Sequence, residues 1–406
     1  MLALPEPGLR VLDAVVHLPV LCRDGRLVAR AGYEPETRIY HFADPRVAEA
    51  AERIPAAPGA EDRRLALAFL RDELLGDFPF ANASDSAHAL AALVLPAVRH
   101  FFRGPTPLHI IEAPSEGTGK GLLADVVHLV ATGSPTQPMT LPTAEEEVRK
   151  KITASLQTAP TIVLLDNIGH VLDSASLAAV LTCETWSDRF LGQTRMVTVP
   201  NRALWLATAN NPTLSRENAR RSVRIRLDAD VEHPWLRDSF RHPELRAWIL
   251  ENRPAIVAAL LTLVRGWLLD GQPPGLVRLG SFEPWSRIVG GVLGSAGVEG
   301  FLADRYETQA CAGLDEADWR GFVELWWDKH GGAPVTAGDL MALAGERRLF
   351  DLDPNSTADR RSRSSFAASL TRRRDRRYGA WRIVMGRDEH LKQNVYRLEG
   401  GEREAA

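Results

Sequence analysis

The chain has 406 residues, of which 45% are hydrophobic and 25% charged, and its formal net charge is −3. This composition is that of a soluble globular protein, long enough for about two to four domains. The near-neutral balance excludes a global pull towards nucleic acid. Cys22, Cys183 and Cys311 are far apart and form no C-x-x-C pair. Neither a disulfide framework nor a zinc ribbon is expected, and a reducing compartment, the cytoplasm, fits best. No run of roughly eighteen apolar residues suggests a membrane span. The opening MLALPEPGLR has no basic region followed by an apolar stretch, so no signal peptide is expected.

Residues 10–42 read as short strands, with Asp24-Gly25 marking a tight turn. PAAPGA, residues 55–60, reads as a linker, and residues 61–102 show apolar spacing for two or three helices. Four apolar strand patterns follow: LHIIEAP (108–114), TIVLLDN (161–167), RALWLATANNP (202–212) and SVRIRL (222–227). Helical patterns separate them, which implies a parallel sheet covered on both faces. Residues 235–270 and 281–330 are helical in pattern, and GGAP, residues 331–334, reads as a second linker. The last segment has helical stretches followed by two strand-like pieces, the layout of a winged helix. These textures divide the chain into a β-rich module over 1–58, a helical subdomain over 59–105, and an α/β core over 106–230. A helical lid region over 231–332 and a winged-helix-like domain over 333–406 complete it.

APSEGTGKGLLAD, residues 113–125, nearly spells the phosphate loop G-x-x-x-x-G-K-[ST]. Pro114 stands where the first glycine belongs and Gly121 where the Ser or Thr belongs. The strand before and the helix after supply the context the motif requires. Ser115, Glu116, Gly117, Thr118, Gly119, Lys120, Gly121 and Leu122 therefore form a candidate cradle for ATP phosphates. Lys120 would reach the β- and γ-phosphates. Asp166 ends the second strand, 46 residues after Lys120, and would hold Mg²⁺ directly or through water. Gly121 removes one direct Mg²⁺ ligand, a vacancy that water fills in such sites. Asn167 follows Asp166 where many motor ATPases place a catalytic Glu. The general base is left unassigned among Glu145, Glu146, Glu147 and Glu184. Asn210, at the end of the third strand, would orient the attacking water. Arg220 and Arg221 are candidates for a charge supplied to a neighbour's nucleotide; a salt-bridged helix end is the alternative.

The ordered set GTGK, VLLDN, LATANN and ARRSVRIRL resembles AAA+ ATPases, and within them the superfamily 3 helicases of phage, plasmid and integrated-element primase-helicases. DRFLGQTRMVTVPNRALW, residues 188–205, is similar to the family's segment before the sensor strand, where a hairpin points into the pore of a ring. The resemblance is weaker over the last seventy or so residues. It implies a P-loop NTPase core, ATP hydrolysis, a homo-hexamer and translocation on single-stranded DNA. By position it makes Lys120 the phosphate lysine, Asp166 the Mg²⁺ acid, Asn210 the first sensor, and Arg220 or Arg221 the finger across an interface. Arg189 and Arg195 would flank the pore hairpin and meet the DNA backbone. No primase motifs precede the motor, so priming would come from a separate primase.

Between Arg360 and Arg397 there are twelve Arg or Lys against three acids. A basic block of this kind suits one face for a polyanion. Arg372, Arg373, Arg374, Arg376 and Arg377 would meet duplex phosphates while Tyr378 or Trp381 packs the wing; a solvated Arg-rich helix is the bland alternative. Three functions are open at this stage. The first is a ring helicase in replication of a mobile element. The second is an ATP-dependent DNA-binding switch or loader that remodels a partner without processive unwinding. The third is an interaction scaffold with a relic nucleotide pocket.

Overall fold

The computed structural model describes residues 10–42, 44–169, 171–190, 195–231, 233–305, 314–347, 349–351, 366–367, 369–371, 373–388 and 393–400. The N-terminal strands are short. Ala14–Val16 pairs in parallel with Ile39–His41, which pairs antiparallel with Gly32–Glu34. Val20–Leu21 and Leu27–Val28 form the expected hairpin. Gly25 turns it at φ 84°, a conformation that a Cβ disfavours.

Helices α1 (Pro45–Glu52), α2 (Ala60–Ala68) and α3 (Ala83–Val98) follow. The side chains of Asp44 and Asn82 cap α1 and α3, accepting from the first free amides of each helix. Next come β1 (Leu108–Ala113), α4 (Lys120–Thr132), β2 (Pro138–Met139), α5 (Glu145–Gln157), β3 (Ile162–Ile168) and α6 (Ala175–Val180). Strands β4 (Thr185–Arg189) and β5 (Met196–Pro200) form an antiparallel hairpin, and β6 (Leu204–Asn210) and β7 (Ser222–Arg226) follow. Five of these strands make one parallel sheet in the order β7-β1-β6-β3-β2. Four were readable as apolar runs. β2 is two residues long and has no run to read.

Alternation along the strands divides the core. Ile111, Leu164, Leu204, Leu206, Val223 and Ile225 face a layer built with α3, α4, α7 (Leu245–Leu269) and α8 (Glu283–Ser295). Leu108, Ile110, Val163, Leu165, Trp205 and Ala207 face α5 and α6. The result is a sheet between two helical layers, as both-face apolarity requires.

Helix α7 is long and apolar enough to cross a membrane by length and composition. Its apolarity has another cause: α1, α2, α4 and α8 pack around it. It also carries Arg253, which is only 3% exposed. This guanidinium donates to the carbonyls of Leu129 (3.1 Å) and Val130 (3.0 Å) at the end of α4, and to His17 O (2.9 Å).

The chain packs as two compact units, 1–309 and 310–406. In the second, α9 (Leu314–His330) is followed by β8 (Val335–Thr336), α10 (Ala337–Glu346), β9 (Arg377–Tyr378), β10 (Trp381–Asp388) and β11 (Gln393–Gly400). The strands pair antiparallel in the order β8-β11-β10-β9. Trp319, Phe322 and Trp326 of α9 share one core with Leu340, Tyr378, Ile383 and Tyr396. Helix α9 thus packs with the elements that follow it, and GGAP, residues 331–334, lies in the turn between α9 and β8.

Replacing Arg253 by Met keeps the apolar stem but removes the donor shared by the Leu129, Val130 and His17 carbonyls, of which Leu129 keeps the Gly133 amide. Urea unfolding is expected to show a loss of about 3 kcal/mol, the scale of charge-assisted hydrogen bonds lost from an interior.

Candidate nucleotide site

The glycine loop leaves β1 at Ala113 and enters α4 at Lys120. Gly117 (φ 74°) and Gly119 (φ 98°) take left-handed conformations that turn the chain back on itself. The first amides of α4 have no acceptor within the helix and are directed at the loop, the arrangement that binds anions. Gly117 has a second reason to be glycine: a Cβ there would lie 2.8 Å from the Cβ of Trp235. The hydroxyl of Thr118 and the ammonium of Lys120 both donate to Ser115 O, at 2.9 Å each. Burial lowers the Lys120 pKa, and the negative charges of Glu116 and Asp166 oppose that shift. Glu116 is exposed, Leu122 packs on the core, and at Gly121 an added Cβ would meet nothing within 4 Å. The departure at Gly121 is therefore not imposed by space; a serine fits.

Parallel strands open ligand crevices beyond their carboxyl ends, where the strand order reverses. Here β6 lies between β1 and β3, so three strand ends converge. Asn210 pairs with Ala113, the residue from which the loop departs. Its Oδ1 is buried and has no hydrogen-bond partner among the described residues. Asp166 lies at a bulge. Between Ala207 opposite Leu165 and Ala209 opposite Ile168, β3 supplies two residues, Asp166 and Asn167, against Thr208 alone. Thr208 closes the bulge from both sides. Its hydroxyl donates to Asp166 Oδ1 (2.5 Å) and accepts from the Asn167 amide (2.8 Å). Asn167 is held at φ 52°, with its side chain exposed.

Sequence reasoning missed Thr208. The signal available was the hydroxyl two residues before Asn210 on an otherwise apolar strand. It also missed Arg226, which donates to Glu112 (2.9 Å) on β1 and to Asn211 (3.1 Å) after β6. Arg224 stands 3.6 Å from the same Glu112. These ion pairs tie together the ends of β1, β6 and β7 beside the loop.

The unassigned base stays so, but the four candidates differ in placement. Glu145 caps α6 through Ser174 and Ser176. Glu146 and Glu147 pair with Lys150 at 3.0 and 2.8 Å on the exposed side of α5. Glu184 lies at the opposite end of the sheet, its carbonyl accepting from Asn201 just before β6. Arg221 is held within its own chain by Glu217, at 3.1 Å. Arg220 is exposed and makes no ion pair among the described residues. Because Ser222 is opposite Leu108 in parallel strands, Arg220 lies at the strand starts. At ~3.3 Å per residue, it stands roughly 20 Å from its own loop.

The expected hairpin is β4–β5. Its inner face carries Trp186 and Asp188, both bonded to Thr153 of α5 (2.9 and 2.7 Å). Arg189 faces outward, and Arg195 lies over the Phe190 ring at 5.0 Å. The connecting residues 191–194 lie outside the described residues. Of the C-terminal arginines, Arg372 also lies outside them. Arg373 lies over Trp319 (4.5 Å) and Arg376 over Tyr378 (5.5 Å), so both are engaged with the unit's own rings. Arg374 and Arg377 are exposed. Tyr378 is buried, and Trp381 stacks on Trp327 at 3.7 Å.

One other group is spaced like a metal site: Cys22, Glu34 and Glu36. Arg26 bonds both carboxylates, and burial pushes the thiol up to about 11, so that cluster is an ion-pair network.

Neither a protein-family profile nor a curated protein matches the chain. Among solved structures, the C-terminal region of NrS-1 (apo, residues 305–718) is 14% identical, with 83% of this chain and 72% of that chain covered and a TM-score of 0.36. JCV helicase is 15% identical, with 63% and 73% covered and a TM-score of 0.25. The RuvB Holliday junction branch migration motor of Thermotoga maritima is 15% identical, with 70% and 90% covered and a TM-score of 0.24.

Substituting Thr208 by Val removes the bond to Asp166 while keeping shape. Affinity for magnesium-bound nucleotide is expected to fall about tenfold, the usual cost of losing an outer partner of a metal ligand, and Thr208→Ser to restore most of it. A fluorescent-nucleotide titration with and without magnesium checks this. In its sheet order, its glycine loop and the acid at the neighbouring strand end, the chain carries a P-loop NTPase core.

Proposed function

We propose that this chain is an ATP-hydrolysing DNA translocase of the superfamily 3 helicase type, working as a ring in the replication of a mobile element. The observation that carries the reading is the convergence of Lys120, Asp166 and Asn210 at three adjacent strand ends. The residues fit Mg-ATP: a lysine, a turned glycine loop, a carboxylate bonded by the Thr208 hydroxyl and a buried amide oxygen without a donor among the described residues. When bound, Mg²⁺ would neutralise developing phosphate charge. The chain's own residues do the rest. Loop amides and Lys120 bind the phosphates, Thr208 fixes Asp166, and Asn210 orients the attacking water.

Arg220 supports the ring. It is exposed and too far from its own loop to reach it, so it can serve only a neighbour's nucleotide. Such a head-to-tail contact closes by rotation. Arg221, bonded to Glu217, is the weaker candidate for that finger. Arg189 and Arg195 flank a hairpin whose inner face is clamped to α5, a stiff mount for a DNA contact. In the second unit, the order helix, short strand, helix and long hairpin supports a winged helix. Arg374 and Arg377 are then its free phosphate contacts.

A second reading, an ATP-dependent switch or loader, draws support from Gly121 and from Asn167, which places no carboxylate after Asp166. DNA-stimulated ATP turnover separates the two. In the translocase, turnover rises with single-stranded DNA and Lys120→Ala abolishes it. Nucleotide binding without turnover would select the switch. Independently, Arg374→Ala and Arg377→Ala are each expected to lower the salt slope of duplex binding by about 0.9, as loss of one phosphate contact does. An unchanged slope would remove these residues from the DNA interface.

A further inference from the structure

At the starts of β1 and β6, on the far side of the sheet from the glycine loop, lies a cavity of about 160 Å³. Arg99, Arg103 and Arg202 line it, together with Asp13 and Glu184. Arg99 is fixed in place. Its guanidinium donates to the carbonyls of Gly104 (2.8 Å), Phe102 (3.0 Å), Arg202 (3.1 Å) and Asn201 (3.3 Å). Carbonyls satisfy its geometry, and the only opposing charge that acts on it among the described residues is Glu184, at more than ion-pair distance. Arg202 has its Nε shut away from solvent with no hydrogen-bond acceptor. Arg103 is exposed at the mouth. None of the three arginines makes an ion pair among the described residues, although two carboxylates share the cavity.

A buried cation without a counter-charge is costly, and so is a buried N–H without an acceptor. Two guanidiniums held together compound the cost: burial and the charge of Arg202 push Arg99 down to about 9. Burial also lowers Arg202, with Arg103 adding to the shift and Asp13 opposing it. A tetrahedral oxyanion in the cavity would offset the like charges of these guanidiniums, because its several acceptors match guanidinium forks. We propose that this cavity is a second phosphate site, separate from the glycine loop, which takes a phosphate group on Arg103 and Arg202 over the floor made by Arg99. Thr185 and Pro200, the paired residues at the fixed end of the β4–β5 hairpin, also line it. A phosphate bound here therefore lies at the root of the hairpin. The same chemistry is offered by a DNA strand or by free phosphate; only the DNA source rests on the translocase reading.

The glycine loop would also bind phosphate, so the test uses the full chain carrying Lys120→Ala. Inorganic phosphate is titrated and its ³¹P linewidth followed, with Arg103→Gln and Arg202→Gln added singly. Circular dichroism verifies the fold, and exposed Arg103 gives a variant that keeps it. Saturable broadening in the range of roughly 1–10 mM is expected, weakened about tenfold by either substitution. An oligothymidylate of about ten nucleotides is then added as competitor. Displacement that Arg103→Gln weakens identifies a DNA strand as the source, and binding without displacement identifies free phosphate. Absence of saturable broadening, or identical broadening in Arg103→Gln protein, overturns the site. None of these readouts uses ATP turnover, so failure of the motor reading leaves them interpretable.

Discussion

The hydrogen-bonded register of β6 between β1 and β3 is the constraint on which the site depends. It brings Asn210 opposite Ala113 and Thr208 opposite the Asp166-Asn167 bulge. A one-residue slip would exchange the two faces of β6 and bring Trp205 into the layer where Leu204 and Leu206 now pack. Apolar side chains of different size on the two faces forbid that exchange. The geometry of the polar residues is thus enforced by the packing of apolar ones several residues away. The bulge adds what a regular ladder cannot: it sets Asp166 and Asn167 against Thr208 alone, so that a single hydroxyl serves both the carboxylate and the displaced amide.

The two ends of the sheet differ in chemistry. The carboxyl ends gather a lysine, a carboxylate and an amide around turned glycines. The strand starts gather arginines: Arg99, Arg103 and Arg202 around a cavity, and Arg220 on the surface. A parallel sheet makes this segregation natural, because every strand begins on one side and ends on the other. One end gathers the residues proposed for a nucleotide, and the other presents positive charge. The hairpin has its inner face held by a buried contact between Asp188 and Thr153.

Much of the core was legible because its signals are local. Strand–glycine loop–helix is a contiguous pattern, and Asp166 and Asn210 each end an apolar run. What could not be read depends on partners distant in sequence. Thr208 acquires its role only when β3 bulges against it. Arg221 and Arg220 are neighbours in the chain, and only the fold shows that Glu217 holds one and leaves the other exposed. Arg373 and Arg374 read alike within a basic run, yet one lies on Trp319 and the other on the surface. Helix α7 shows the converse: a long apolar stretch is equally the mark of a central core helix and of a membrane span, and only its neighbours decide.

Arg253 joins three segments that are remote in sequence. Its guanidinium holds the terminal carbonyls of α4, the carbonyl of His17, and approaches Asp44 at 4.0 Å. Helix α4 begins at the glycine loop, so the bolt at its far end fixes the axis along which the phosphate cradle points. The N-terminal strands are thereby bonded to the far end of α4 through His17 and Arg253. From that bond to the glycine loop runs about 20 Å of continuous helix, at ~1.5 Å per residue, so a shift of the N-terminal strands would be passed along α4 to the loop.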